Sequence, residues 1–338
     1  MFHTSTQREH WLCDSAEELG EKRRAAHDRA VAAVKAAYAA AAGEGGGAEE
    51  ALDFVTYEEA QRIVQHYASR VPEFAARFHP KLPDRVVATA TVYLKRYYIE
   101  GTVLEHEPSL IFALAIFFAC KAEDQVISLS DFCRVGKLPG GTGAFIKAHE
   151  LDFVERLKFH VVVHTPFRAL RGFFIDASTF LAGAGLPDGL FDKATGVLRR
   201  WIQTDVLLTH PPSQVALAAL LHATPADRRP DLQRYVKSKL GGAGDAGAAR
   251  LQRALDVIPA AAAEGPVGPT PPAEHQRLKE KLKACRNPLF DPASAIAKRR
   301  AEAAEVEREA KRQKRDEEWK QKQEAQLASI LGSAPPPV

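Results

Sequence analysis

The sequence predicts an all-α protein built from two successive five-helix bundles with flanking terminal helices. Alanine is abundant, and Val, Ile and Thr rarely cluster in period-two runs, so helix signals dominate and strand signals are scarce. Leu110–Lys121, LIFALAIFFACK, is apolar on every side. It is too short to cross a bilayer, which takes ~20 apolar residues, so it must be a helix covered all round by other helices. Further on, Pro212–His222, PSQVALAALLH, repeats the same short, apolar, proline-opened pattern.

The bulk numbers agree. At 338 residues the chain has room for two cores plus extensions. A net charge of +3 is too small to imply a nucleic-acid partner. Cys13, Cys120, Cys133 and Cys285 form no CxxC pair and have no close His companion. Reduced thiols in the cytosol or nucleus are expected, not a zinc or disulfide framework. The opening MFHTSTQREHW lacks the apolar core of a secretory signal, and nothing marks a membrane protein.

Residues 1–14 form a polar arm carrying Phe2 and Trp11, which either docks on a surface or is disordered. Ser15 and Glu18 fit a capping box opening a helix to Ala42, and Gly43–Gly47 reads as a linker. Thr56 and Glu59 make a second capping box, followed by Ile63, Val64, Tyr67, Val71 and Phe74 at helical spacing. Pro83 opens a helix with Val86, Val87, Ala90, Tyr93, Leu94 and Tyr97 on one face, ending near Gly101. The apolar rod begins after Glu107-Pro108, and Lys121 closes it with a cation at the negative end. Ser130 is expected to cap a short helix containing Phe132, and Gly136–Gly143 is a loop. Ala144–Leu157 completes the first bundle, with Phe145, Ala148, Leu151, Phe153 and Leu157 on its apolar side.

Phe159–His164, FHVVVH, reads as an extended connector. The second bundle then runs through Pro166–Phe180, Leu190–Leu208, Pro212–His222, Asp231–Leu240 and Ala246–Ile258. After a Pro/Gly linker, Ala273–Arg286 returns to helix. From Lys298 to Glu324 there are ten basic and eight acidic residues without an a/d seam, which fits a solvated single helix or disorder. Lys311–Arg315 is either a nuclear-import address or an ordinary charged helix face. The resulting boundaries are 1–50 for arm, helix and linker, 51–163 and 164–262 for the bundles, and 263–338 for the C-terminal helix and tail.

Catalytic chemistry is sparse. HExxH and GxSxG are absent, and GKLPGGTG lacks the order of a phosphate loop. His160 and His164 lie four apart but without a third ligand type nearby, which favours packed histidines over a metal pair. Asp152 and Glu155 read as a solvated helix face rather than an acid–base pair. No cofactor or metal site is expected, and the chain reads as a protein that presents a surface.

Val86–Glu100 (VVATATVYLKRYYIE), followed by Phe117–Asp124 (FFACKAED), resembles the first box of the cyclin family. His149–Leu170 and Thr204–Leu221 continue the resemblance in order. MFHTSTQREHW, FHVVVHTPF and LLTHPPSQVALA are similar to the H branch of the transcriptional cyclins, although the box text also occurs in the C branch. The resemblance spans about residues 1–260. It implies two tandem five-helix cyclin-type folds that bind and activate a cyclin-dependent kinase, as a regulatory subunit rather than an enzyme. For the H branch it implies a kinase of the activating-kinase type, with a RING-type assembly factor as third subunit. That complex acts on activation loops of other cyclin-dependent kinases. Within general transcription factor IIH, it acts in the nucleus on the C-terminal repeats of RNA polymerase II; a cytoplasmic pool is also compatible.

By the same resemblance, Lys121 and Glu150 correspond to the box lysine and glutamate that grip the kinase backbone around its C-helix, and Phe159 to an apolar contact. Their residue-level alternatives are a helix C-cap for Lys121, a salt bridge to Lys121 or Lys147 for Glu150, and a core position for Phe159. The Arg- and Leu-containing groove motif of many cell-cycle cyclins is missing from TYEEAQRIVQHYASR, so docking of substrates through it is not expected. A C-type transcriptional cyclin, or a nucleic-acid-binding scaffold of the IIB type supported by the basic tail, are the rival readings.

Overall fold

The computed structural model describes residues 2–42, 53–183, 185–240, 244–264, 268–290 and 294–331. The expected linker at 43–47 lies outside the described residues. Two compact units form: residues 1–33 with 52–285, and residues 34–51 with 286–338. The arm carries α1 (Thr6–Trp11), and α2 (Ala16–Ala42) follows it. The first bundle is α3 (Tyr57–Ala75), α4 (Asp84–Glu100), α5 (Pro108–Ala122), α6 (Leu129–Gly136) and α7 (Thr142–Arg156). The second is α8 (Pro166–Phe180), α9 (Leu190–Trp201), the single turn α10 (Val206–Thr209), α11 (Pro212–Ala223), α12 (Arg229–Leu240) and α13 (Gly244–Glu264). After these come α14 (Pro272–Cys285) and, in the second unit, α15 (Ala295–Leu331).

Local chemistry explains most of the starts. The Thr56 hydroxyl accepts from the Glu59 N–H at 3.2 Å, while the Glu59 carboxylate accepts from the Thr56 N–H at 3.0 Å. Pro108 and Pro212 occupy first-turn positions of α5 and α11, where a missing N–H costs nothing. Two starts differ from expectation. Ser128, not Ser130, caps α6 by accepting from the Asp131 N–H at 3.0 Å. At α2, Ser15 caps Glu18, but the Glu18 carboxylate reaches the Asp14 N–H rather than that of Ser15.

Helix α5 is the expected rod, with Ile111 to Phe117 all buried. The reading of α4 as one-faced does not hold, because it is buried nearly all round from Val86 to Ile99. Its Ala88 and Val92 pack into the second bundle's core beside Leu198, Val215 and Leu220. Its Tyr93 and Tyr97 meet Phe118 and Phe153 of the first. One helix thus serves two cores, so both its faces are covered.

The expected single helix from Leu190 to Leu208 is broken at 202–205. The break presents Asp205 to two buried cations. Arg23 of α2 donates to both carboxylate oxygens at 2.7 and 3.0 Å, and Lys95 of α4 donates at 2.9 Å. Arg23 and Lys95 are only 7% and 3% exposed. Burial pushes the Asp205 carboxyl up, but the two cations more than offset it and hold the group below the usual carboxylate range. The polar arm is docked: Trp11 is buried with Cys13, Leu19, Ile99 and Leu208.

At the other end of the first unit, α14 lies on α3. Arg277 and Lys281 reach Glu59 at 3.3 and 2.9 Å, and Arg62 pairs with Glu274. His66 of α3 stacks on His275 of α14, ring centroids 3.7 Å apart. In the second unit α15 is one long helix with Val306 and Trp319 exposed. Its Arg312 and Asp316 sit 4.0 Å apart at i,i+4. No helix among the described residues is long and apolar enough to cross a membrane.

Asp205→Asn leaves two buried cations without a counter-charge. Removing one partner of a fully buried pair costs ~3–5 kcal/mol. The Asp205 side chain keeps 41% of its surface open, so the expected loss is at the low end, about 3 kcal/mol, read by urea unfolding. His66 gives a pH dependence. Burial first, then His275 and Arg70, push it down to about 4 from 6.5, against a partial pull from Glu73. A histidine that resists protonation when folded contributes stability above pH 6.5 that fades as pH falls toward 4. Lowering pH from 7.5 to 5.5 should therefore cost about 1 kcal/mol through this group, a share that His66→Leu should subtract from the total slope in unfolding curves at the two pH values, the other histidines that burial pushes down supplying the rest.

Candidate interaction surface

The C-terminal turn of α5 and the middle of α7 meet at the edge of the first bundle. Lys121 is the penultimate residue of α5, held where an apolar helix reaches solvent. Its ammonium lies 5.0 Å from the Phe117 ring centre and pairs with Glu150 of α7. The pair is partly open, with side-chain exposures of 49% and 29%. The glycine-rich loop at 136–143 supplies the turn that allows it. Gly141 caps α7 at φ +87°, a left-handed position that favours glycine. A Cβ at Gly136 would stand 2.6 Å from the Phe74 ring. Gly136 therefore serves close packing and Gly141 the left-handed backbone that starts α7.

Phe159 is 61% exposed, so it is not a core residue. Lys158 and Phe159 both adopt left-handed backbone, φ +54° and +58°, at a cost of order 1–2 kcal/mol each. Hydrogen bonds from the Lys158 N–H to the Glu155 carbonyl (2.8 Å) and from Phe159 to Val154 (3.0 Å) support the turn. It swings the chain off α7 and turns Phe159 outward.

Among the exposed apolar residues that the sequence did not reveal, two flank this edge, and Ala148 of α7 is exposed as well. Leu151, expected on the buried side of α7, is 61% exposed beside Glu150, and Val162 on the connector is 62% exposed. A helix-face assignment fails at Leu151 because Ile146, Phe153 and Leu157 already fill the inward arc. Asp152 and Glu155 are both exposed on α7, as expected.

The connector histidines are packed against the N-terminal arm. The Trp11 indole N–H donates to His160 Nδ1 at 3.0 Å, and His10 stacks on the same ring at 4.7 Å. Burial, then His10, Arg96 and Lys158, push the His160 pKa down, which keeps Nδ1 free to accept. His164 exchanges backbone bonds with the Gln7 amide, its N–H donating at 2.7 Å. Buried Arg96, a residue the sequence did not single out, donates to the His160 carbonyl at 3.2 Å and covers the Trp11 ring at 5.1 Å. Arm and α4 together fix the connector that carries Phe159 and Val162. Among the described residues no group of three or more His, Cys, Asp or Glu is placed to hold a metal.

Residues 73–162 match the family model described as the cyclin N-terminal domain, and residues 165–289 the cyclin C-terminal domain. Cyclin-H of Xenopus laevis is 33% identical over 225 residues, covering 65% of this chain and 68% of that protein. The chain belongs to the cyclin H family. Among solved structures, a chain of the CAK complex from Chaetomium thermophilum superposes with a TM-score of 0.73 at 24% identity. It covers 90% of this chain and 94% of its own. A chain of the yeast TFIIK (Kin28/Ccl1/Tfb3) complex gives 0.61 at 26% identity, covering 77% and 100%. The two bundles are accordingly tandem cyclin boxes.

Because the Lys121–Glu150 pair is half-open, Glu150→Ala should change the stability of the isolated chain by less than ~1 kcal/mol, measured by thermal unfolding.

Proposed function

We propose that this chain is the regulatory cyclin subunit of a cyclin-dependent-kinase-activating kinase that works within general transcription factor IIH. Membership of the cyclin H family carries this reading, together with the likeness to a chain of a TFIIK complex. The chain is not itself an enzyme; it activates a kinase. Its place is nuclear, and a cytoplasmic pool of the assembled kinase is compatible. We assign residues 51–163 to the first box and 164–262 to the second. The third partner in our reading is a RING-type assembly factor, which joins cyclin and kinase to the transcription-factor core.

The kinase-binding surface is built on Lys121, Glu150 and Phe159. What supports it is a charged pair on a rigid helical edge, flanked by Leu151, Phe159 and Val162, which already face water. The ammonium can donate to carbonyls and the carboxylate accept from amides. Such charged hydrogen bonds are about twice as strong as neutral ones. On binding, the two groups exchange each other for backbone groups of the kinase around its C-helix.

Activation is then a population shift. A kinase with its C-helix displaced lacks the Lys–Glu ion pair of its active site. A surface that binds only the in-position helix draws the equilibrium over. Moving it from 1:99 to 99:1 takes about 5.5 kcal/mol of differential binding. A few charged hydrogen bonds at ~1.5–3 kcal/mol each, with apolar anchors, reach that range.

Two measurements test this. The purified chain with its bound kinase should phosphorylate both an activation-loop substrate and a polymerase C-terminal repeat peptide. Activity on neither would remove the activating-kinase reading. In a two-component titration, Lys121→Ala and Glu150→Ala should each weaken kinase binding about tenfold or more, and Phe159→Ala similarly, with circular dichroism unchanged. Unaltered affinity would take these residues out of the surface.

A further inference from the structure

The second box holds a feature that the kinase surface does not use. Helices α11, α12 and α13 enclose a cleft of about 690 Å³, within the ~300–1,000 Å³ of ligand-accepting sites. Leu221, Val236 and Leu255 provide apolar surface, one residue from each helix. Arg229, Gln233 and Lys237 line it from α12. Their i, i+4, i+8 spacing puts them in one row along that helix. The two cations are exposed at its ends, about 12 Å apart along the axis. The Arg229 guanidinium gives one bond to the Thr224 carbonyl at 3.4 Å, which anchors it at the head of the cleft. A guanidinium has five donors, so several remain. Opposite stands Asp256, one of whose oxygens accepts from the Gln252 amide at 3.0 Å.

The internal repeat gives the cleft a meaning. Helix α11 holds the serial place of α5, and His222 is its penultimate residue, as Lys121 is of α5. Asp256 sits on α13, the counterpart of α7, which bears Glu150. In the first box that edge is closed by the Lys121–Glu150 pair and a short α6. In the second, α12 is longer and adds the cationic row as a third wall.

We propose that this cleft is a second protein-docking site, one that takes an acidic peptide segment from a partner other than the kinase. Its carboxylates meet Arg229 and Lys237, and an apolar residue between them enters among Leu221, Val236 and Leu255. A 12 Å separation suits acids about four residues apart in an extended segment, or about two turns apart on a helix. Guanidinium and ammonium both bind carboxylates by charge-assisted hydrogen bonds, and the guanidinium can do so bidentately.

The test uses the full chain with its kinase bound and a random library of about twelve-residue peptides displayed on phage. Enriched peptides should carry two acids flanking an apolar residue. Their affinity should fall tenfold or more for Arg229→Glu/Lys237→Glu while kinase binding is retained. Lys237→Ala, a milder change at an exposed position, should lower affinity several-fold and weaken its salt dependence. Enrichment only of peptides insensitive to these changes, or of peptides without acids, would overturn the proposal, as would parallel loss of kinase binding in both variants. Kinase binding is read separately, so failure of the Lys121–Glu150 surface and failure of this cleft are distinguishable.

Discussion

A single carboxylate, Asp205, ties the first unit together. It takes Arg23 from α2, on the N-terminal side, and Lys95 from α4, in the first box, while itself standing at the start of α10 in the second. Two cations this deeply buried are tolerated only because a carboxylate lies between them. That requirement reaches outward. Residues 202–205 must leave the helix for the carboxylate to face inward, and α4 must be enclosed by both boxes for Lys95 to be buried. The N-terminal part of α2 must lie along the same junction. Register between the two boxes is thereby set by charge as well as by apolar packing.

The docked arm depends on the same junction. Trp11 packs against Leu208, just beyond Asp205, and against Ile99 of α4. It also donates to His160, and Arg96 covers its ring. The connector leaving α7 is therefore braced from two sides. This matters because that connector begins with two left-handed residues, a conformation that surrounding contacts must over-determine. Phe159 is thus exposed on a turn whose following residue, His160, is held by the arm and by α4.

The two boxes show how one architecture diverges. Each is built around a short apolar helix opened by proline and ended by a basic residue. In the first, the neighbouring helix is short and the edge closes on one ion pair. In the second, a longer basic helix leaves the edge open as a cleft. The same scaffold can thus present a flat charged edge in one half and a concave one in the other.

The sequence by itself determined the class, the repeat and most helix starts. These depend on local chemistry: the reciprocal Thr56–Glu59 cap, prolines at first helical turns, and an apolar run too short for a bilayer. It also pointed to Lys121 and Glu150 through resemblance, and left the partner of Glu150 open between Lys121 and Lys147; the structure pairs it with Lys121. Tertiary structure alone decided the rest. Ser128 was chosen over Ser130 by where α6 actually begins, one turn of hydrogen bonding that two nearby serines leave ambiguous. The burial of Lys95 and Arg96 was hidden because a charged pair in a helix normally reads as its solvent face. Only enclosure by a second core, with Asp205 and the His160 carbonyl as partners, overrides that. The outward turn at Lys158–Phe159 had no glycine to announce it. Such features arise from contacts between residues far apart in the chain, and a local pattern cannot encode which distant partner will be there.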